Sequence, residues 1–290
     1  MKERRGSRPS RGRKRPRGFL RRIRWKRLLP VLLLLTVFAY AAVNLVQYAL
    51  RSAATRRTNA QLQAMHGEEA AAGTAASEPL PEPTVAPEPE LPDSYQHIGE
   101  EILPEMAELY ARNPDLVAWL CIPGVVNLPV VYRDNSYYLD HDFDGAQRDS
   151  GTLFLDEAHP LEADTQYLVV HGHNMYDGSM FARLTHYRKR AYMEEHPTVD
   201  LTTLYRQESY EVIGALCVPG SYKSDGYLAY TGTPKFASPE RFSGFVRSIR
   251  ERALYWREGA ELLPGDALLA LSTCYREDER IVVICRRVRP

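Results

Sequence analysis

The hydrophobic pattern divides the chain into three regimes. Residues 28–50 (LLPVLLLLTVFAYAAVNLVQYAL) form one apolar run without a charged side chain. At about 1.5 Å per residue, a helix of that length matches a hydrocarbon layer of roughly 30 Å. Pro30 falls near its start, where the missing N–H costs little. Asn44 and Gln47 fall near the far end, within reach of interfacial water. Residues 51–95 then lose this pattern. Ala, Glu, Ser and Pro dominate, ending in SEPLPEPTVAPEPELPDS, which predicts an extended, solvated spacer.

From about Tyr95 the pattern becomes that of a folded domain. Ile98, Ile102, Met106 and Leu109 recur at helical spacing and define one amphipathic face, which Asn113-Pro114 ends. Strand-like runs follow: VAWLCI (117–122), PVVY (129–132), GTLFLD (151–156), QYLVVHG (166–172), VDLTTLY (199–205), SYEVIGALCV (209–218), DALLALSTC (266–274) and RIVVIC (280–285). Gly, Pro, Asn and Asp turns separate them, with helical patches near 179–193 and 238–254. About eight strands with few helices predict a mainly β fold, a closed or nearly closed barrel with added helices. The expected organisation is a basic arm (1–27), a membrane helix (28–50), a spacer (51–95) and a globular domain (96–290).

Charge gives this plan a direction. The formal net charge is zero, yet residues 1–27 hold 14 Lys/Arg against one acid, Glu3, leaving 23 basic and 36 acidic residues downstream. A basic arm can neutralise nucleic-acid phosphates. Its place beside a membrane-length apolar run instead predicts a cytoplasmic flank, with residues 51–290 outside the cell and no nucleic-acid partner. A cleaved signal peptide is the rival. The run is longer than a usual signal core, and the AAAGTAAS stretch at 70–77 lies far beyond it.

The four cysteines (121, 217, 274 and 285) are too scattered for a disulfide scaffold. Cys121, Cys217 and Cys285 lie in or after apolar strand-like runs and read as small core residues. Cys274 differs. It ends one strand-like run, and Arg280, six positions later, begins the next. A hairpin would bring thiol and guanidinium together, which can favour a thiolate or stabilise an oxyanion. A structural cysteine near a surface arginine is the plainer alternative at this stage. His173 follows Gly172 at the end of another run, a suitable place for an acid/base imidazole or for a hydrogen-bonded structural one. With His171 it forms an HxH pair of the kind that ligates zinc, but Met175 and Tyr176 stand where further ligands are expected.

Four stretches in order make the domain from about residue 96 resemble the class B sortases. These are NPDLVAWLCIPG (113–124) with LPVVYRDNSYYLDHDF (128–143), SGTLFLD (150–156), GHNMYDGSMF (172–181), and LSTC (271–274) with RIVV (280–283). The resemblance implies a closed sortase-type β-barrel and a cysteine transpeptidase of the Gram-positive cell surface. Cys274 would be its nucleophile, His173 the general acid and base, and Arg280 the oxyanion or substrate stabiliser. It further implies a groove lined by Asn135, Leu139, Ser272, Tyr227 and Leu228. The partners would be secreted proteins with a C-terminal sorting signal, an amine of peptidoglycan or of a pilin, and membrane lipid around the helix. No cofactor or metal is implied. His171 stands where relatives often have an aromatic. Strand alternation aims it away from His173, giving an expected structural role. Arg276 and Arg286 are rivals to Arg280. A Cys-His wall-peptide hydrolase is the alternative enzyme, and a wall-binding module the non-enzymatic one.

Overall fold

The computed structural model describes residues 25–73, 101–161, 165–231 and 234–289. Most of the basic arm, the spacer from residue 74 and Ile98 of the amphipathic pattern lie outside these residues.

Helix α1 (Trp25–Gly73) runs across two compact units, one ending at Ala49 and the other beginning at Leu50. In the first, the apolar side chains from Leu29 onward are exposed. An 18-residue window there has a mean hydropathy of 2.3, apolar enough to cross a membrane. Polar groups inside the run turn inward. Thr36 Oγ1 donates to the Leu33 carbonyl and Asn44 Nδ2 to that of Tyr40, both at 2.8 Å. Asn44, expected to reach water, thus satisfies its amide on its own helix, as a polar group in an apolar surround must.

In the second unit the expected spacer is corrected. Its first part is helical as far as Gly73, and residues 51–66 pack on the folded domain. Leu62 is fully buried, which contributes roughly 1.5–3 kcal/mol. His66 stacks on Trp119 at 4.4 Å, and Gln63 donates to the Asn127 carbonyl at 2.7 Å. The Ala-rich stretch has enough helix propensity, and enough apolar residues on one side, to dock.

Nine strands form one sheet: β1 (Leu116–Ile122), β2 (Val126–Tyr132), β3 (Leu153–Leu155), β4 (Tyr167–His171), β5 (Thr198–Thr203), β6 (Gln207–Pro219), β7 (Ala253–Trp256), β8 (Leu268–Arg276) and β9 (Glu279–Arg287). The order is β5-β1-β2-β3-β4-β8-β9-β6-β7, and β5 pairs with β6 to close an eight-stranded barrel. Most pairs are antiparallel, but β2–β3 and β4–β8 are parallel. The first half of the 13-residue β6 closes the ring against β5, while its Gly214–Leu216 segment takes β7 on the same edge. Gly214 permits this approach, since a Cβ there would lie 2.9 Å from the Trp256 ring.

Period-two alternation sorts the side chains. Leu168, Val170, Leu269, Leu271, Ile281 and Val283 join one interior cluster with residues from every ring strand. Their neighbours Tyr167, Val169, Leu268, Ala270, Val282 and Ile284 face out into a second cluster, covered by Phe242 and Ile249 of α4 (Pro239–Glu251). A third cluster lies outside β1 and β2, where Met106 and Leu109 of α2 (Pro104–Arg112) meet Trp119 and Leu62. The eight strand-like runs all became strands. The 238–254 patch instead split into α4 and β7, and the 179–193 patch into a 3-10 turn (Ala182–Arg188) and the short α3 (Arg190–Glu195).

The Tyr167 hydroxyl is buried in the second cluster with no hydrogen-bond partner among the described residues. Tyr167→Phe removes that unpaired group while keeping the ring, so urea unfolding should show stability raised by about 1 kcal/mol. A comparable loss would mean that the hydroxyl is bonded.

Candidate active site

Parallel pairing of β4 with β8 sets His171 against Ser272, so the two strands reach one end of the barrel at the same level. Beyond them, the Gly172 amide donates to the Ser272 carbonyl at 3.2 Å, and Thr273 Oγ1 donates to the Gly172 carbonyl at 2.8 Å. The residue after each lock is His173 on one side and Cys274 on the other. Gly172 is required for space: a Cβ would meet Leu153 at 2.4 Å and Phe181 at 2.8 Å.

Arg280 arrives from the other neighbour. β8 and β9 continue past the expected loop to a turn at residues 277–278, and Cys274 and Arg280 face each other as direct cross-strand partners. Arg280 Nη1 lies 3.5 Å from Cys274 Sγ, which places fixed positive charge beside the sulfur. Gly220 leaves room for it, since a Cβ there would lie 3.2 Å from Arg280 Nε. The rival arginines have other partners. Arg276 pairs with Glu279 at 3.7 Å, and Arg286 pairs with Glu211 and the Glu261 carbonyl.

His173 Nε2 is 2.7 Å from the Leu139 carbonyl oxygen. A carbonyl oxygen only accepts, so Nε2 carries the hydrogen and Nδ1 is left as the free lone pair. The Leu139 carbonyl is itself held in a tight packing. A Cβ on Gly151, at φ +57°, would lie 2.8 Å from it.

These groups line one cavity of about 290 Å³ with Asn135, Leu139, Tyr227 and Ser272, all expected there, and with Phe154, Asp156, His171, Tyr230 and Thr231. Leu228 is corrected: it is buried in the second cluster and is not among the lining residues. His171 is corrected too. It shares the cavity with His173, because the strand ends at His171 and alternation does not extend past it. Its Nε2 bonds Asp156 Oδ2 at 2.8 Å, so the HxH imidazoles go to different acceptors. Of the other thiols, Cys121 and Cys217 are half-buried and Cys285 is buried, with burial raising the pKa of each; Cys274 is exposed.

The sequence reading missed Asp156 and Tyr230. Tyr230 shares a buried hydrogen bond with Ser272 at 2.8 Å, and no local pattern marks it. Asp156 ends the quoted SGTLFLD stretch, a signal that could have been used. Burial opposes its ionisation, but hydrogen bonds from His159, His171 and the Ala158 amide outweigh burial and hold the carboxyl far below its usual range.

No family model matches the chain. Sortase B of Listeria monocytogenes is 26% identical over 185 residues, covering 63% of this chain and 72% of the relative. Sortase B of Staphylococcus aureus is 26% identical over 196 residues, covering 66% and 77%. The solved Staphylococcus aureus sortase B–substrate complex superposes with a TM-score of 0.65 at 20% identity, over 81% of this chain and 96% of that one. A closed barrel of this order, with curated relatives of that name, defines a cysteine transpeptidase of the sortase type. Within that group the chain is similar to the class B sortases. Anchoring proteins to the cell wall is the general work of such enzymes.

A depressed carboxyl contributes stability that is complete above the unfolded-chain value of about 3.9 and is lost as pH falls through the folded value. Asp156→Asn should therefore cost about 2–3 kcal/mol at pH 7. The gap between variant and parent should shrink steadily below pH ~4 in urea titrations. A gap independent of pH would mean that Asp156 acts by shape alone.

Proposed function

We propose that Cys274, His173 and Arg280 carry the transpeptidation, with a secreted protein's C-terminal sorting motif as acyl donor. The observation that supports it most is the direct pairing of Cys274 with Arg280, sulfur to guanidinium at 3.5 Å, in the cavity that His173 also lines. In the first half-reaction the Cys274 thiol gives its proton to His173 Nδ1 as Sγ attacks a backbone carbonyl carbon of the motif. The C–N bond breaks, the departing amine takes a proton from His173 Nδ1, and a thioacyl enzyme remains. In the second, an amine of a peptidoglycan precursor or a pilin attacks the thioester and gives its proton to the same nitrogen. The C–S bond then breaks. Arg280 stabilises the negative oxygen that develops in both steps. Asn135, Leu139, Tyr227 and Ser272 border the groove for the motif.

The domain plan belongs to this reading. Residues 28–50 act as a single membrane span among lipids, with the basic arm in the cytoplasm and the barrel outside. The spacer begins only after the docked part of α1. A Cys-His hydrolase is the second reading, because the same trio can transfer the acyl group to water.

Cys274→Ala should abolish ligation of a donor peptide to an amine, and Arg280→Lys should lower kcat/KM by about 10²-fold. Mass spectrometry of the products separates the two readings: the amine-ligated peptide supports transpeptidation, and hydrolysed peptide alone supports the hydrolase. The rate should peak between two coupled ionisations. A rate that rises with pH without a falling limb would remove His173 as the acid.

A further inference from the structure

The docked part of α1 touches both segments that hold His173. The first is the loop after it. The Phe181 amide closes this loop onto the His173 carbonyl at 2.9 Å, and an Asn174–Met180 bridge tightens it. Asp177 at its tip is the joint to the helix. One carboxylate oxygen accepts from Ser179 N and Oγ at 3.1 and 2.6 Å, fixing the turn. The other accepts from Ser52 Oγ and, at 3.4 Å, from Arg56 Nη1. Arg56 in turn donates to Ser52 Oγ at 2.8 Å. Asp177 has only 11% side-chain exposure, so these bonds are partly shielded from water.

The second segment carries the acceptor of His173. Thr55 Oγ1 and Ser150 Oγ lie 3.0 Å apart and both residues are buried, while Arg51 pairs with Asp149 at 2.9 Å. Ser150 is followed by Gly151, whose backbone packs against the carbonyls of Tyr138 and Leu139. The Thr152 amide donates to the Tyr138 carbonyl at 3.0 Å. A short stretch of helix, residues 51–56, therefore fixes the loop that follows the imidazole and the carbonyl that orients its Nε2.

From this arrangement the geometry points to α1 residues 51–56 as a brace for the acid/base imidazole, with Asp177 and Ser150 as positioning residues. The continuation of the membrane helix is then part of the catalytic apparatus, one step removed from the chemistry. This rests on His173 being the acid and base. The brace acts through orientation: it fixes the imidazole in the cavity it shares with Cys274 without touching substrate. A misplacement of about 1 Å at such a group costs up to ~10²-fold in rate, so weakening one of two supports should cost about tenfold.

The test uses the full-length chain in detergent micelles. Arg56→Asp and Asp177→Arg each turn the ion pair into repulsion, and the double reversal restores the attraction. With a fluorogenic donor peptide selected from a positional library and hydroxylamine as acceptor, each single variant should lower kcat about tenfold while KM stays within about twofold. The double reversal restores the attraction to the helix but not the bonds that Asp177 accepts from Ser179 and Ser52, so it should recover only part of the lost kcat. In protein labelled with ¹⁵N-histidine, His173 should report one Nε2–H tautomer in the parent and double reversal, and a mixture in the singles. Melting temperatures identify any variant that fails to fold. Unchanged kcat and unchanged His173 resonances in well-folded singles overturn the brace. Ligation surviving in Cys274→Ala protein would bring down the functional reading, whereas the histidine resonances decide the brace independently of turnover.

Discussion

The site depends on the parallel pairing of β4 with β8. Parallel strands need a long crossover, and here the chain between them contributes β5, β6, β7, α3 and α4. That detour places an imidazole and a thiol separated by 101 positions at the ends of adjacent strands. The Gly172–Ser272 and Thr273–Gly172 bonds then fix the two ends in relative height. Neither functional side chain takes part in these bonds, so both stay available for chemistry. A slip of one residue would reverse the facing of each side chain.

The polar surroundings divide into two parts of different character. On the β9 side a guanidinium meets the sulfur across one hairpin, and Gly220 keeps the space for it. On the β3 side Asp156 is a buried carboxylate shared by His159 and His171. Placing a charge there is costly unless it is fully bonded, and four donors, His159, His171, the Ala158 amide and Asn135 Nδ2, meet that requirement. The cavity wall near Asp156 is therefore rigid and polar, while the thiol beside Arg280 stays open to solvent.

Much of this was legible in the sequence, for reasons tied to period and spacing. Continuous apolar runs in DALLALSTC and RIVVIC marked the β8–β9 hairpin, and the six-residue interval put Cys274 near Arg280. Gly172 before His173 marked the end of a strand, and its role is space against Leu153 and Phe181. Contacts distant in sequence left no local trace. The buried Tyr230–Ser272 bond spans 42 positions, and Leu228 went to the core although its neighbour Tyr227 lines the cavity. The docking of residues 51–66 was hidden because composition suited a spacer and only tertiary contact with Trp119 and Asn127 makes it a helix with a buried side.

Closure of the ring through β5 and β6 leaves little backbone for another chain to pair with. Eight strands have both neighbours satisfied, and among the described residues β7 alone presents a free edge. It is four residues long and is flanked by Arg252 and Arg257. So short a border, bracketed by cations, is a poor template for another chain's backbone. An enzyme whose proposed substrates are extended peptides thus offers them a groove to lie in and almost no sheet to join.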